Sequence, residues 1–176
     1  MELGLIHIYC GDGKGKTTAA MGLGMRAVGR EKKVLLTQFL KDNETGELNS
    51  IEKLGANFQV IKGMPVTKFF KFMSPEEQML TKKEHEERFI AVTKKAIDEN
   101  FDLLILDEII ASTNLDLVQL DIVLEFLENK PRGLEVVLTG RNPNEKLVQL
   151  ADYVSEIKAV KHPYEKGINS RIGIEK

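Results

Sequence analysis

Cysteine occurs once in the 176 residues, as Cys10. One thiol closes no intrachain disulfide and makes no half of a CxxC metal pair, so neither device holds this chain together. Charge of one sign is not in excess: 25 Lys and Arg face 27 Asp and Glu, a net charge of −2. That balance argues against a nucleic-acid partner bound through a broad phosphate-neutralising field. Long apolar runs are missing too, Leu103 to Leu106 before Asp107 being typical, which excludes a membrane span. The first residues run straight into the strand-like Leu3-Gly4-Leu5-Ile6-His7-Ile8-Tyr9, with no charged leader or cleavage pattern. Repeats, low-complexity tracts and linker-like stretches are absent. A composition 42% hydrophobic and 30% charged is that of a water-soluble globular protein, and a chain this long buries enough surface to fold without staples. The expectation is one cytoplasmic, reduced domain over residues 1–176.

What is present is a regular alternation of short apolar runs and longer helical stretches. Strands are expected at 3–10, 34–40, 57–62, 102–107, 134–139 and 153–159, and helices at 16–29, 46–54, 75–99, 116–129 and 144–151. The third helix opens on Ser74-Pro75-Glu76-Glu77, with a Ser cap, Pro at the first helical position and Glu in the capping box. Leu117, Leu120, Leu124 and Leu127 draw one apolar stripe on the fourth, which stops at Lys130-Pro131-Arg132-Gly133. Strand–helix alternation means βαβ units, hence an α/β fold: a mainly parallel sheet of about six strands with helices on both faces. Ligands of such sheets bind at the carboxyl ends of the strands.

The first strand runs into Gly11-Asp12-Gly13-Lys14-Gly15-Lys16-Thr17-Thr18 and then a helical start, the required context of a phosphate-binding loop. Backbone N–H groups freed by the glycines, and the positive end of the helix, suit phosphate oxygens. Lys16 supplies a point charge and the Thr17 hydroxyl a ligand for Mg²⁺. Chance would produce such a string in on the order of one in ten thousand chains of this size. The general pattern asks for glycine five residues before Gly15, and Cys10 stands there. The loop is therefore a variant, with glycines at alternate positions.

The fourth strand ends in Asp107-Glu108, an acid pair placed to reach Mg²⁺ directly or through water, with Glu108 also a candidate for water or ribose. The second strand ends in Gln38-Phe39-Leu40-Lys41 and the fifth in Thr139-Gly140-Arg141, where Arg141 can meet phosphate, carboxylate or amide. Arg26 faces either the same crevice or solvent. The connection from Gly63 to Met73 is rich in aromatic residues and Met, which suits covering a flat apolar ligand through Phe69, Phe70 and Phe72 or completing the core under the long helix. The mixed charges from Lys82 to Arg88 read as a solvated helix face.

Together these segments resemble the P-loop ATP:corrinoid adenosyltransferases over almost the whole chain. The resemblance rests on the loop through Ala20, on Arg26-Ala27-Val28-Gly29, Gln38-Phe39-Leu40-Lys41, Asp107-Glu108-Ile109 and Leu138-Thr139-Gly140-Arg141, and on Ala151 to Glu156, Val160 to Gly167 and Gly173-Ile174-Glu175. It implies a three-layer, RecA-like P-loop fold, usually homodimeric, and an enzyme that moves the 5′-deoxyadenosyl group of ATP onto cobalt(I) of a reduced corrinoid, releasing triphosphate. It further implies ATP held reversed along the loop, Mg²⁺, and an electron donor that reduces the cobalt. Lys16, Thr17 and Glu108 are then the catalytic candidates. Gly11 through Thr18, Gln38, Lys41 and Arg141, with Phe69, Phe70 and Phe72, hold the substrates, and Thr17, Asp107 and Glu108 hold the metal. Some relatives carry Trp in the corrinoid loop, whereas this chain has none. Lys161-His162 matches the family tail and reads as structural. Two other readings use the same loop: a P-loop ATPase or small-molecule kinase, and a non-catalytic corrinoid carrier gated by nucleotide.

Overall fold

Six strands pair side by side, all parallel, in the order β3-β2-β4-β5-β1-β6. The computed structural model describes residues 3–175, so Met1, Glu2 and Lys176 of the expected 1–176 domain lie outside the described residues. The strands are β1 (Ile6–Cys10), β2 (Val34–Gln38), β3 (Phe58–Ile61), β4 (Leu103–Asp107), β5 (Glu135–Thr139) and β6 (Tyr153–Glu156). The helices are α1 (Lys16–Val28), α2 (Gly46–Ile51), α3 (Pro75–Asp98), α4 (Ile109–Asn114), α5 (Leu120–Asn129) and α6 (Glu145–Leu150).

Covering the sheet on both faces makes each central strand apolar throughout, because successive side chains point to opposite layers. In β4, Leu103 and Ile105 join Ala20, Met21 and Ile51 under α1 and α2. Leu104 and Leu106 join Phe89, Val92, Val123 and Leu147 under α3, α5 and α6. This is the expected three-layer α/β arrangement. The strand β5 sits between β1 and β4, which brings a third strand end between the phosphate loop and the acid pair.

Helix α3 begins as its sequence dictates. Ser74 Oγ accepts the Glu77 N–H, and the Glu77 carboxylate accepts the Ser74 N–H. The expected helix over 116–129 is corrected: the chain forms α4 over 109–114 and α5 over 120–129. Asp116, at φ +54°, turns the chain between them. Leu117, expected on the helical stripe, is fully buried from that turn, its N–H bonded to Ser112 O at 2.9 Å. Helix α4 is β-branched and polar, and hydroxyls of Ser112 and Thr113 bond back to backbone carbonyls. Its helicity comes from burial of Ile109 and Ile110, a tertiary effect that propensity does not carry.

A second correction concerns Lys82 to Arg88. His85 is wholly buried and Arg88 is 6% exposed, facing the chain that leaves β2 rather than water. The outer strand β6 is short, and all four of its residues are exposed.

Candidate active site

Because the strands are parallel, Cys10, Gln38, Asp107 and Thr139 all end at one edge of the sheet. The loop after β1 needs left-handed backbone at Gly11 (φ +102°) and Gly15 (φ +121°), which glycine adopts without strain. Lys16 folds back over that loop, its Nζ donating to Gly11 O at 2.8 Å and Gly13 O at 2.9 Å. Burial, then the positive charge of Arg141, lowers the lysine pKa, against the pull of Glu108, Asp12 and Asp107.

Asp107 is fully buried and completely engaged. Its Oδ1 accepts hydrogen bonds from the hydroxyls of Thr17 (2.9 Å) and Thr139 (2.6 Å), and its Oδ2 accepts one from Gln38 Nε2 (3.1 Å). Donating to Asp107 turns the Thr17 hydroxyl so that its lone pairs remain free. Thr139, at the end of the intervening strand, also accepts the Glu108 N–H at 2.8 Å. Glu108 is half-buried at φ +60°, and burial first, then the neighbouring Asp107 charge, raises its pKa. Two adjacent carboxylates therefore stand in different settings: one saturated with donors, the other poorly solvated and reluctant to ionise.

These groups line a polar cavity of about 330 Å³. Of the residues expected at the site, Asp12, Gly13, Lys14, Gly15, Lys16, Thr17, Thr18, Gln38, Lys41, Glu108 and Arg141 form its wall. Gly11 supports the loop and Asp107 lies behind Thr17. Asn114 fixes the Arg141 backbone, its Nδ2 donating to Arg141 O at 2.9 Å. Arg26 is exposed and lines neither this cavity nor its neighbour. A second, largely apolar cavity of about 560 Å³ adjoins the first, with Met21, Met25, Ile51 and Leu54 in its wall. Thr18, Glu47, Ile174 and Glu175 belong to both.

The aromatic segment is absent from both walls. Phe70–Phe72 form a 3-10 turn ahead of α3, and Phe69 and Phe72 stand 77% and 68% exposed, edge to face at 6.4 Å. These two rings do not complete the core under the long helix.

The family described as ATP:corrinoid adenosyltransferase BtuR/CobO/CobP matches residues 2–175. The corrinoid adenosyltransferase of Escherichia coli strain K12 is 36% identical over 179 residues, covering 99% of this chain and 86% of that protein. Corrinoid adenosyltransferase CobA of Salmonella typhimurium strain LT2 is 34% identical over 175 residues, with coverage of 99% and 86%. A corrinoid adenosyltransferase from a Sinorhizobium species is 34% identical over 184 residues, with coverage of 99% and 81%. The chain belongs to the ATP:corrinoid adenosyltransferase family.

The cavity of this adenosyltransferase-family chain also holds residues that the sequence reading did not assign to the site. Thr45, Glu47, Ile174 and Glu175 line the polar cavity, and so does His162, whose Nδ1 also accepts the Tyr164 N–H. The resemblance of Gly173-Ile174-Glu175 to the family tail was a usable signal; for Thr45 and Glu47, contributed by the cap and first turn of α2, there was none. A hydrogen bond and ion pair from Arg171 pull the Glu175 pKa down to about 2, so the tail carboxylate at the cavity mouth is charged. The donor set at the cavity fits a hard cation, since Thr17 and Glu108 offer oxygen alone, while Asp107, expected as a metal ligand, is taken up in orienting Thr17 from behind. Among the described residues no group of three His, Cys, Asp or Glu side chains could hold a metal without help. Mg²⁺ keeps several waters and is bound through one or two protein oxygens plus phosphate, which this set can provide.

Proposed function

We propose that this chain transfers the 5′-deoxyadenosyl group of ATP to the cobalt of a reduced corrinoid and releases inorganic triphosphate. The observation that carries this reading is a family match across nearly the full chain, coinciding with a cavity-lining Thr17 bonded to the buried Asp107–Thr139 pair beneath a lysine-bearing glycine loop. In the transfer, the cobalt(I) electron pair attacks C5′ of the ribose. A cobalt–carbon bond forms, the C5′–O5′ bond breaks with its pair leaving on triphosphate, and cobalt is formally oxidised from (I) to (III). Cobalt(I) needs no protein base, so the side chains have two tasks, in-line positioning and charge stabilisation of the leaving group.

Lys16 and the amides from Gly13 to Thr18 receive the phosphates, with Arg141 at the rim. Thr17, oriented by Asp107, and Glu108 are the protein groups that hold Mg²⁺; when bound, the ion offsets negative charge on the departing triphosphate. Gln38 and Lys41 close the side of the pocket beneath β2. The adjoining apolar cavity is left for the parts of the substrates that are not phosphate. Phe69, Phe70 and Phe72 cover the corrinoid, excluding water and a lower axial ligand, because four-coordinate cobalt is easier to reduce. An external electron donor keeps cobalt reduced.

The same reading treats the chain as a single cytoplasmic adenosyltransferase domain that forms a homodimer. Tyr153 and Val154 on the edge strand β6, and Val160 beyond it, are exposed apolar side chains beside an unpaired strand edge that a second copy could cover. No helix among the described residues is long and apolar enough to cross a membrane.

The test is anaerobic: protein, ATP, Mg²⁺ and chemically reduced cob(I)alamin, with omission of each component in turn. The absorbance of an alkylated cobalt corrin must develop only in the complete mixture. ATP turnover that proceeds equally without corrinoid would replace this reading with ATPase or kinase chemistry.

A further inference from the structure

Helix α3 carries three ionisable side chains, Glu84, His85 and Arg88, that the transfer chemistry does not use, and it buries two of them almost completely. His85 Nε2 accepts the Leu40 N–H at 3.3 Å, which puts the imidazole proton on Nδ1, 2.9 Å from Glu84 Oε2. Arg88 Nη1 donates to Gln38 O at 3.0 Å, and Nη2 lies 3.3 Å from the same Glu84 oxygen. The Arg88 guanidinium also stacks over the buried Phe39 ring, 4.7 Å from its centre. Arg88 Nε and Nη2, Glu84 Oε2 and His85 Nδ1 are buried without a well-aligned hydrogen bond, so proximity of charge rather than ideal geometry holds the group together.

The cluster grips two loops at once. On one side the chain after β2 turns left-handed at Leu40 (φ +55°), a conformation that a leucine keeps only when its surroundings enforce it, and again at Asn43 (φ +65°). On the other side Glu84 Oε1 accepts the Met64 N–H at 3.0 Å, at the start of the aromatic segment. Gly63 packs so closely that a Cβ there would lie 1.9 Å from Arg88 Nη1. The loops also join directly: Asn43 Nδ2 donates to Gly63 O at 2.8 Å, and Val66 N–H to Lys41 O at 2.9 Å. One loop runs from Gln38, the last residue of β2, and carries Lys41 to the polar cavity; the other leads to Phe69 and Phe72.

We propose that Glu84, His85 and Arg88 are positioning residues that clamp the loops after β2 and β3 into one unit, so that the wall of the phosphate pocket and the aromatic cover keep a fixed relation. The assignment of ATP to the pocket and corrinoid to the cover rests on the proposed function. An apolar filling of the same space is generally no less stable than buried charge, so retention of three ionisable groups favours a specifying role over a stabilising one.

The clamp is tested first by amide hydrogen exchange, read by NMR on the ligand-free chain. His85→Leu is expected to speed exchange at Leu40 by about tenfold, the effect of losing roughly 1.4 kcal/mol of local protection, and to speed Met64 and Val66 as well. His85→Gln, which restores an acceptor near the Nε2 position, is expected to return all three amides toward wild type. Acceleration confined to Leu40, or no rescue by Gln, overturns the proposal. Should His85→Leu fail to fold, Glu84→Ala at the partly exposed corner serves: lost protection at Leu40 as well as Met64 supports the clamp, and loss at Met64 alone overturns it. Exchange needs no substrate, so it reads the joining of the two loops whether or not adenosyl transfer is refuted. In the transfer assay, His85→Leu is expected to raise KM for ATP and for reduced corrinoid together, about tenfold, with kcat within about threefold. A lowered melting temperature with both KM values unchanged would assign the cluster a purely structural role and overturn the proposal.

Discussion

Asp107 and Glu108 are neighbours in sequence and opposites in setting. Three donors saturate Asp107, whereas Glu108 is poorly solvated and repelled by it, so its pKa is raised. A carboxyl whose folded pKa exceeds its unfolded one is more stable protonated, so folding stability is lost as pH rises through the folded value. Glu108→Gln is therefore expected to raise the melting temperature of the ligand-free chain at neutral pH by about 2–4 °C, for about 1 kcal/mol. The gain should vanish at pH below the ordinary carboxylate range, where wild type is protonated in both states. On the proposed function the same change removes a charge that would face Mg²⁺, and it is expected to lower kcat by about tenfold or more. A scan of melting temperature against pH, beside the kinetics, checks both signs. Lys16 belongs at this scale too. Its ammonium is bonded to loop carbonyls rather than packed as core, so Lys16→Ala is expected to cut kcat/KM by about a hundredfold or more without lowering the unfolding midpoint. Full activity in that variant would remove the loop from the mechanism.

Elements were legible where local chemistry and tertiary context agree. The capping box at Ser74 marks the start of α3 to the residue, and the apolar quartet of β4 reads as a strand buried on both faces. Legibility failed where packing overrides pattern. Leucines at 117, 120, 124 and 127 have helical spacing, yet Leu117 reaches the core from a turn and α4 forms from residues with poor propensity. The charges on α3 looked solvated because periodicity cannot reveal that a strained loop lies against them. Ser74→Ala is expected to cost about 1 kcal/mol and lower the melting temperature by about 2–4 °C, with KM for ATP unchanged because the cap touches neither cavity. Calorimetry beside the transfer assay reads both.

At the scale of the whole molecule, parallel pairing gathers every strand end at one edge, which is why motifs more than a hundred residues apart in sequence meet at one pocket. That the glycine loop and the acid pair would meet at one cavity was legible, since glycine turns and acids at strand ends have a fixed place in such sheets. The cavity's other walls come from α2 and from the far C-terminal tail, brought there by tertiary contacts that no local pattern encodes. Ile174 and Glu175 line both cavities, so deleting residues 171–176 is expected to raise KM for ATP several-fold while leaving the melting temperature of the sheet core in place. Isothermal titration with ATP, alongside a thermal melt, distinguishes a wall of the pocket from a passive tail.

The most direct test of adenosyl transfer follows one atom. ATP carrying heavy oxygen at the 5′ bridging position is incubated anaerobically with the protein, Mg²⁺ and cob(I)alamin, and the phosphorus products are identified by mass. Attack of cobalt at C5′ must leave the label wholly in inorganic triphosphate, formed one for one with adenosylcobalamin. Labelled ADP with unlabelled orthophosphate, made at the same rate without corrinoid, would contradict the transfer and assign the loop to hydrolysis.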